Sequence, residues 1–145
     1  MDLEYGPEYQ VFTKKVQSFC KKYKGLSFKE RANTPLVSSG GSGGPEMHRS
    51  EWQKILIENG YFARSVPKEY GGYGGEADII KSRIIAAEFS KSKTPTPMGG
   101  QGIDMLVPTL LEMGTEEQKQ AYIKPTLHGE MIWCQGYSEP MQGVI

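Results

Sequence analysis

Apolar residues recur at helical spacing along most of the chain. Over 8–24, Phe12, Val16, Phe19 and Tyr23 follow one another at intervals of four, three and four, which stacks them on one stripe of a helix. Lys14, Lys15, Lys21 and Lys22 take the wet side, and Gly25 is a stop signal. Residues 28–37 are irregular, with Pro35 blocking a helix. A second helix is predicted over 46–58, with Pro45 at its start, Trp52, Ile55, Leu56 and Asn59 on one face, and Gly60 at its end. Residues 61–66 read as extended, because Pro67 confines Val66 to β or polyproline geometry. Gly71, Gly72, Gly74 and Gly75 make a tight turn around Tyr73. A third helix over 76–91 gathers Ile80, Ile84, Ala87, Ile85 and Phe89 on a broad apolar face, closed by the Thr-Pro-Thr-Pro run at 94–97. Gly99, Gly100 and Gly102 open a fourth helix over 103–113 that is apolar almost all round, so deep burial is expected. Pro108 fits inside it only with a kink or a break. Thr115 is an N-cap for a fifth helix over 116–127, with Gln118 three positions on to complete a capping box and Pro125 near its end. Gly129 breaks that helix, and 131–137 read as a strand.

The fold class is therefore mainly α: an orthogonal or up-down bundle of about five helices with a short C-terminal β-strand. Such a strand needs partners, and the chain offers no obvious one, so the sequence is expected to be the front part of something longer. The expected division is an N-terminal helix and irregular segment at 1–37, a flexible Gly/Ser linker at 38–45, a helical domain at 46–130 and the start of a β-domain at 131–145.

Composition narrows the function classes. The chain has 145 residues, enough for one domain with a core of its own. Lys plus Arg and Asp plus Glu number 17 each, a balance that gives no long-range pull towards nucleic acid or an anionic membrane. The first residues are acidic and lack the apolar segment of a signal peptide, and no apolar run approaches the roughly 18 residues of a membrane span. Cys20 and Cys134 lie far apart in sequence, which suits two free buried thiols in a reducing compartment. A cytoplasmic protein is expected.

Local chemistry excludes more than it supplies. The glycine-rich stretch at 38–45 is not a phosphate loop, because no Lys-Ser/Thr pair follows and no apolar strand precedes it. Neither glycine cluster contains the spacing of a dinucleotide-binding turn. His48 and His128 are 80 positions apart without companion ligands, so surface or capping roles are expected and no metal site. No nucleophile elbow supports a Ser/His/Asp triad, and Glu130 and Glu139 form no catalytic pair.

Three segments point further. Glu-Trp-Gln-Lys-Ile-Leu-Ile-Glu-Asn-Gly-Tyr-Phe at 51–62, with Val-Pro-Lys-Glu-Tyr-Gly-Gly at 66–72, is the first. Gly-Thr-Glu-Glu-Gln-Lys at 114–119, running on to Pro125, Gly129 and Glu130, is the second. Trp-Cys-Gln-Gly-Tyr-Ser-Glu-Pro at 133–140 is the third. In this order and spacing they resemble the acyl-CoA dehydrogenase family, its N-terminal helical domain and the first strand of its middle β-domain. The resemblance covers roughly 46–140. It departs after Pro140, where Val144 and Ile145 stand in place of the family's usual serine and aspartate; valine has no hydroxyl to donate.

The resemblance implies an FAD-dependent enzyme that desaturates an acyl-CoA thioester, a carboxylate base removing the α-proton while the β-hydrogen leaves as hydride to flavin N5. It implies an acyl-CoA substrate, an electron-transfer acceptor and a homo-oligomer. The family's base lies in a C-terminal helical domain, so no catalytic residue is assigned here and the isolated chain is expected to be inactive. Gln135, Tyr137 and Ser138 are implied to lie along the flavin ring, with Ser138 towards its N5/O4 side. Leu106 and Leu110, with Ile103, Met105 and Leu111, are implied to face the acyl chain, although an apolar helix is equally a core helix. Trp133 is read as a packed aromatic. Two other readings stay open: a non-catalytic helical interaction module with an exposed apolar face, and a flavin monooxygenase or nitroalkane-oxidase-like relative on the same fold.

Overall fold

The computed structural model of the chain describes residues 6–29 and 44–136. Expectations that fall on 30–43 and 137–145, including Pro35, most of the glycine-rich linker, Tyr137, Ser138, Val144 and Ile145, lie outside these residues. The described chain is mainly helical, as the periodicity predicts: α1 (Pro7–Lys22), α2 (Arg49–Glu58), α3 (Ile79–Ser92), α4 (Val107–Met113) and α5 (Glu116–Leu127). Two short strands, β1 (Ser27–Phe28) and β2 (Glu46–Met47), pair in parallel, with Ser27 opposite Glu46 and Phe28 opposite Met47.

Helix boundaries follow from caps. The predicted start of the second helix at Pro45 is corrected: residues 46 and 47 pair with β1, and α2 opens at Arg49. The Glu51 carboxylate accepts the His48 N–H at 2.8 Å, satisfying a donor that the first turn of a helix leaves open. The third helix starts at Ile79 rather than 76, because the Asp78 carboxylate accepts the Lys81 N–H at 2.9 Å. The capping box on α5 forms as predicted: Thr115 Oγ1 accepts from the Gln118 N–H, and Gln118 Oε1 accepts from the Thr115 N–H.

Two apolar clusters fill the bundle. Val16, Phe19 and Cys20 of α1 meet Trp52 and Leu56 of α2, Tyr61, and Ile84, Ile85 and Phe89 of α3. Phe19 is its centre, stacked on Trp52 at 5.6 Å between ring centroids and met edge-on by Tyr61 at 4.7 Å. The second cluster joins Ile57, Val66 and Tyr70 to Val107 and Leu110 of α4 and Ile123 and Leu127 of α5. Helix α2 serves both. Asn59 and Ala87, predicted on buried faces, are exposed; Asn59 Nδ2 donates instead to the Ile55 carbonyl.

Residues 61–66 are turns rather than an extended segment, with Ala63 at φ +48°. The glycines beyond them are close-packed: a Cβ on Gly72 would stand 2.1 Å from the Val66 carbonyl oxygen. The turn docks on α5 through Tyr70, whose hydroxyl donates to Glu116 Oε2 at 2.8 Å.

The break expected at Pro108 is a stretch of π-helix over Gly102–Leu106, which runs into α4. Wider turns absorb the missing proline donor. Deep burial of the whole segment is not what forms: Val107 and Leu110 are buried, whereas Met105 is 58% and Met113 80% exposed. The predicted strand at 131–137 is likewise absent from its described part. Residues 132–136 make no backbone hydrogen bond to the other described residues, because no partner strand lies beside them. At the linker's described end, Pro45 accepts the Ser27 N–H, so this end belongs to the parallel pair.

Candidate functional site

The site is built where α4, α5 and the loop before the π-turn converge. A fully buried glutamine holds the loop. Gln53 Nε2 donates to the Leu127 carbonyl at 3.0 Å, and its Oε1 accepts the Met98 N–H at 2.8 Å. One side chain thus joins α2, the end of α5 and residue 98. The Trp52 indole N–H, donating to the Pro95 carbonyl at 3.0 Å, fixes the same loop one step earlier. Sequence reading missed Gln53; its only signal was a polar residue beside Trp52, where the helical face passes from one cluster to the other.

Past α5 the chain turns back at Gly129, with φ +69°. The Trp133 ring then lies against Gly102, where a Cβ would stand 2.5 Å from indole Cδ1. Its indole N–H donates to Thr126 Oγ1 at 2.8 Å, and Thr126 in turn donates to the Tyr122 carbonyl at 2.6 Å. Tyr122 closes on the ring edge-on at 5.6 Å. Trp133 is therefore a packed aromatic, as expected. Gln101 Nε2 reaches Gln135 Oε1 at 3.4 Å. Trp133 is half-buried against the bundle, whereas Ile132, Cys134, Gln135 and Gly136 are exposed. The expectation of two buried thiols is corrected accordingly: Cys20 is buried and Cys134 exposed, both free.

Between the loop, the π-turn and the returning segment lies a cleft of about 60 Å³, lined by Met98, Ile103, Met131, Ile132, Trp133 and the glycines at 99, 100 and 102 among others. Of the residues expected to face an acyl chain, Ile103 lines it. Leu110 sits in the second core cluster, with Leu106 and Leu111 packed against it; Met105 is exposed. Gln135, on the segment expected to meet a flavin, does not line the cleft; it meets Gln101, which does. That segment suits a planar ring. Its backbone groups are unpaired among the described residues, and at Gly136 no atom lies within 4 Å of a Cβ position.

Electrostatics near the site are modest. The Lys54 ammonium meets Glu130 Oε1 at 2.8 Å, and its hydrogen bond holds that carboxyl below the usual carboxylate range. Burial, reinforced by Lys54, depresses His128, which caps the C-terminus of α5. Both histidines thus occupy helix termini, and no metal-binding cluster of His, Cys, Asp and Glu exists among the described residues. No helix among these residues is long and apolar enough to cross a membrane.

The family model of the acyl-CoA dehydrogenase N-terminal domain matches residues 7–130, and the chain belongs to the acyl-CoA dehydrogenase family. Among curated relatives it is 33% identical over 95 residues to acyl-CoA dehydrogenase IpdE1 of Mycolicibacterium smegmatis, covering 66% of this chain and 24% of that protein. It is 42% identical over 101 residues to a short-chain-specific acyl-CoA dehydrogenase of Clostridium acetobutylicum, covering 68% of this chain and 26% of that one. Among solved structures, the ChsE4-ChsE5 complex of Mycobacterium tuberculosis aligns with 99% of this chain and 33% of its own, at a TM-score of 0.59 and 25% identity. The chain thus spans about a quarter of the length of these curated relatives.

Proposed function

We propose that this chain is the helical part of an FAD-dependent acyl-CoA dehydrogenase that desaturates an acyl-CoA thioester and passes electrons to a separate acceptor. The observation that carries the reading is the juxtaposition at 133–136: a segment whose backbone groups are unpaired among the described residues, beside an apolar cleft. A planar cofactor and an acyl chain need those two surfaces side by side. FAD, when bound, supplies the hydride-accepting chemistry.

This chain's residues bind and orient. Gln135, Tyr137 and Ser138 are proposed to run along the ring, with backbone N–H and C=O groups on its pyrimidine edge and the Ser138 hydroxyl towards N5/O4. The acyl chain is proposed to enter over Ile103, against the apolar side of the π-turn and α4 that Leu106 begins and Leu110 continues inward. No residue here is proposed as the base. Because the chain matches an N-terminal domain and about a quarter of its curated relatives' length, the 145 residues alone are proposed to be inactive. Assembly into an oligomer is supported by the neighbour solved as a complex of two chains. An exposed free thiol at Cys134 suits a cytoplasmic setting.

A visible absorption spectrum of the purified chain, desalted after incubation with FAD, tests the ring contact. A retained and shifted flavin band is expected, and its absence defeats that part of the reading. Dye reduction with a panel of acyl-CoAs tests inactivity: turnover above blank would overturn it and show that this chain holds a base.

A further inference from the structure

The residues that line the cleft fall into two segments far apart in sequence: 98–103 on one side and, on the other, Thr126, Gly129 and 131–133. Gln53 belongs to neither, yet its amide is bonded to both. Its Oε1 accepts the N–H of Met98, where the first wall begins, and its Nε2 donates to the carbonyl of Leu127, next to Thr126 in the second. The walls meet at the same point: a Cβ on Gly129 would stand 2.9 Å from Met98 Sδ and 3.8 Å from Gln53 Cγ. Gln53 is 0% exposed, so its amide faces protein and not solvent. The first wall needs such an anchor. It carries glycine at 99, 100 and 102, and at Gly100 no atom lies within 4 Å of a Cβ position. Asp104 accepts the Gly100 N–H at 2.8 Å, but that bond lies within one stretch of chain and does not set its distance from the other wall.

We propose that Gln53 is a positioning residue for the acyl chain: by holding Met98 and Leu127 on one amide it fixes the separation of the two cleft walls. The proposal rests on the acyl-CoA reading above. Its physical basis is the steepness of apolar contacts. A gap of about 0.5–1 Å forfeits a quarter to a half of the attraction between two apolar atoms, so a cleft that widens by that much loses much of its grip on an acyl chain. The polar part of the ligand is indifferent to the change. Trp133 against Gly102 joins the same walls at a second point, so loss of the amide loosens the cleft without separating its walls.

The readout is the affinity of the full chain for octanoyl-CoA relative to free CoA, by isothermal titration calorimetry at about pH 5, a ratio that isolates the acyl contribution. Gln53→Met keeps the length of the side chain and removes both bonds. Gln53→Glu restores them at that pH, because a buried carboxyl stays protonated, donating through its O–H and accepting through its C=O. Far-UV circular dichroism monitors the fold, and Gln53→Asn, one carbon too short to span both groups, serves if Gln53→Met does not fold. The parent chain is expected to prefer octanoyl-CoA. Gln53→Met and Gln53→Asn are expected to reduce that preference by about tenfold, with Gln53→Glu close to the parent. A folded Gln53→Met or Gln53→Asn chain that keeps the parent's preference overturns the proposal, since Gln53 would then serve stability alone. Failure of both to fold overturns it for the same reason, and so does a folded Gln53→Glu chain that loses the preference. A parent chain that does not prefer octanoyl-CoA to CoA overturns it together with the acyl-CoA reading, a failure recognisable because it precedes any substitution.

Discussion

Gln53 shows how much one buried polar residue decides. Its amide satisfies a terminal carbonyl of α5 and a loop N–H at once, groups that no other described side chain receives. Gln53→Leu removes both partners at nearly constant volume and is expected to cost about 2–4 kcal/mol in urea unfolding. A loss under about 1 kcal/mol would mean that the two backbone groups find other partners. Tyr70 and Glu116 allow a pH prediction. The hydrogen bond to Glu116, with burial, pushes the Tyr70 hydroxyl up to about 12. Hydrogen bonds from Gln120 and then Tyr70 hold Glu116 below its usual value. The raised tyrosine contributes fully below its ordinary 10.0, and its contribution is lost as pH climbs through about 12. The lowered carboxyl contributes above its ordinary 4.5 and loses its contribution as pH falls through its depressed value. Tyr70→Phe is therefore expected to lower the thermal midpoint most between those limits, with the gap from the parent narrowing at either end. A gap independent of pH would sink this account. Tyr70 was legible in sequence as part of a Tyr-Gly-Gly turn; its acceptor, 46 positions on, was not.

At the scale of elements, local chemistry was readable where it is local. Thr115 and Gln118 form the capping box that their spacing predicted, because both partners lie within one turn. Thr115→Ala should cost about 1 kcal/mol by denaturant unfolding, and Thr115→Ser much less; equal losses would show that packing rather than capping holds the turn. The start of α2 failed by the same logic. Pro45 is a sound helix-opening signal, yet β1 captures residues 46 and 47 in a parallel pair. A pairing of two residues across a long sequence separation leaves no periodicity to detect. The π-turn lies between these cases. Pro108 demanded a break, but whether it would be a kink, a gap or a wider turn depended on what packs outside it, and Trp133 against Gly102 is what packs there.

At the scale of the whole molecule, two apolar clusters share one helix. Trp52 and Leu56 face the first and Ile57 the second, with Gln53 fixing the loop at the end of α5. Leu56→Ala is expected to cost about 2–5 kcal/mol. It should still unfold in one transition, with tryptophan fluorescence and far-UV circular dichroism coincident, because α2 cannot leave one cluster and keep the other. Two separated transitions would mean that the α4–α5 half folds on its own. Sequence sufficed for the five helices, the capping box at Thr115 and the family, since helical period, capping pairs and short motifs are all written within a few residues of one another. It did not show which apolar residues are core. Leu110 is inside and Met113 outside on one short helix, because burial is a property of neighbours. Nor did it show the tie of Trp133 to Gly102 and Thr126. Those contacts join segments that meet only when the bundle closes, and it is that closure, rather than any local pattern, that sets Trp133 beside the cleft.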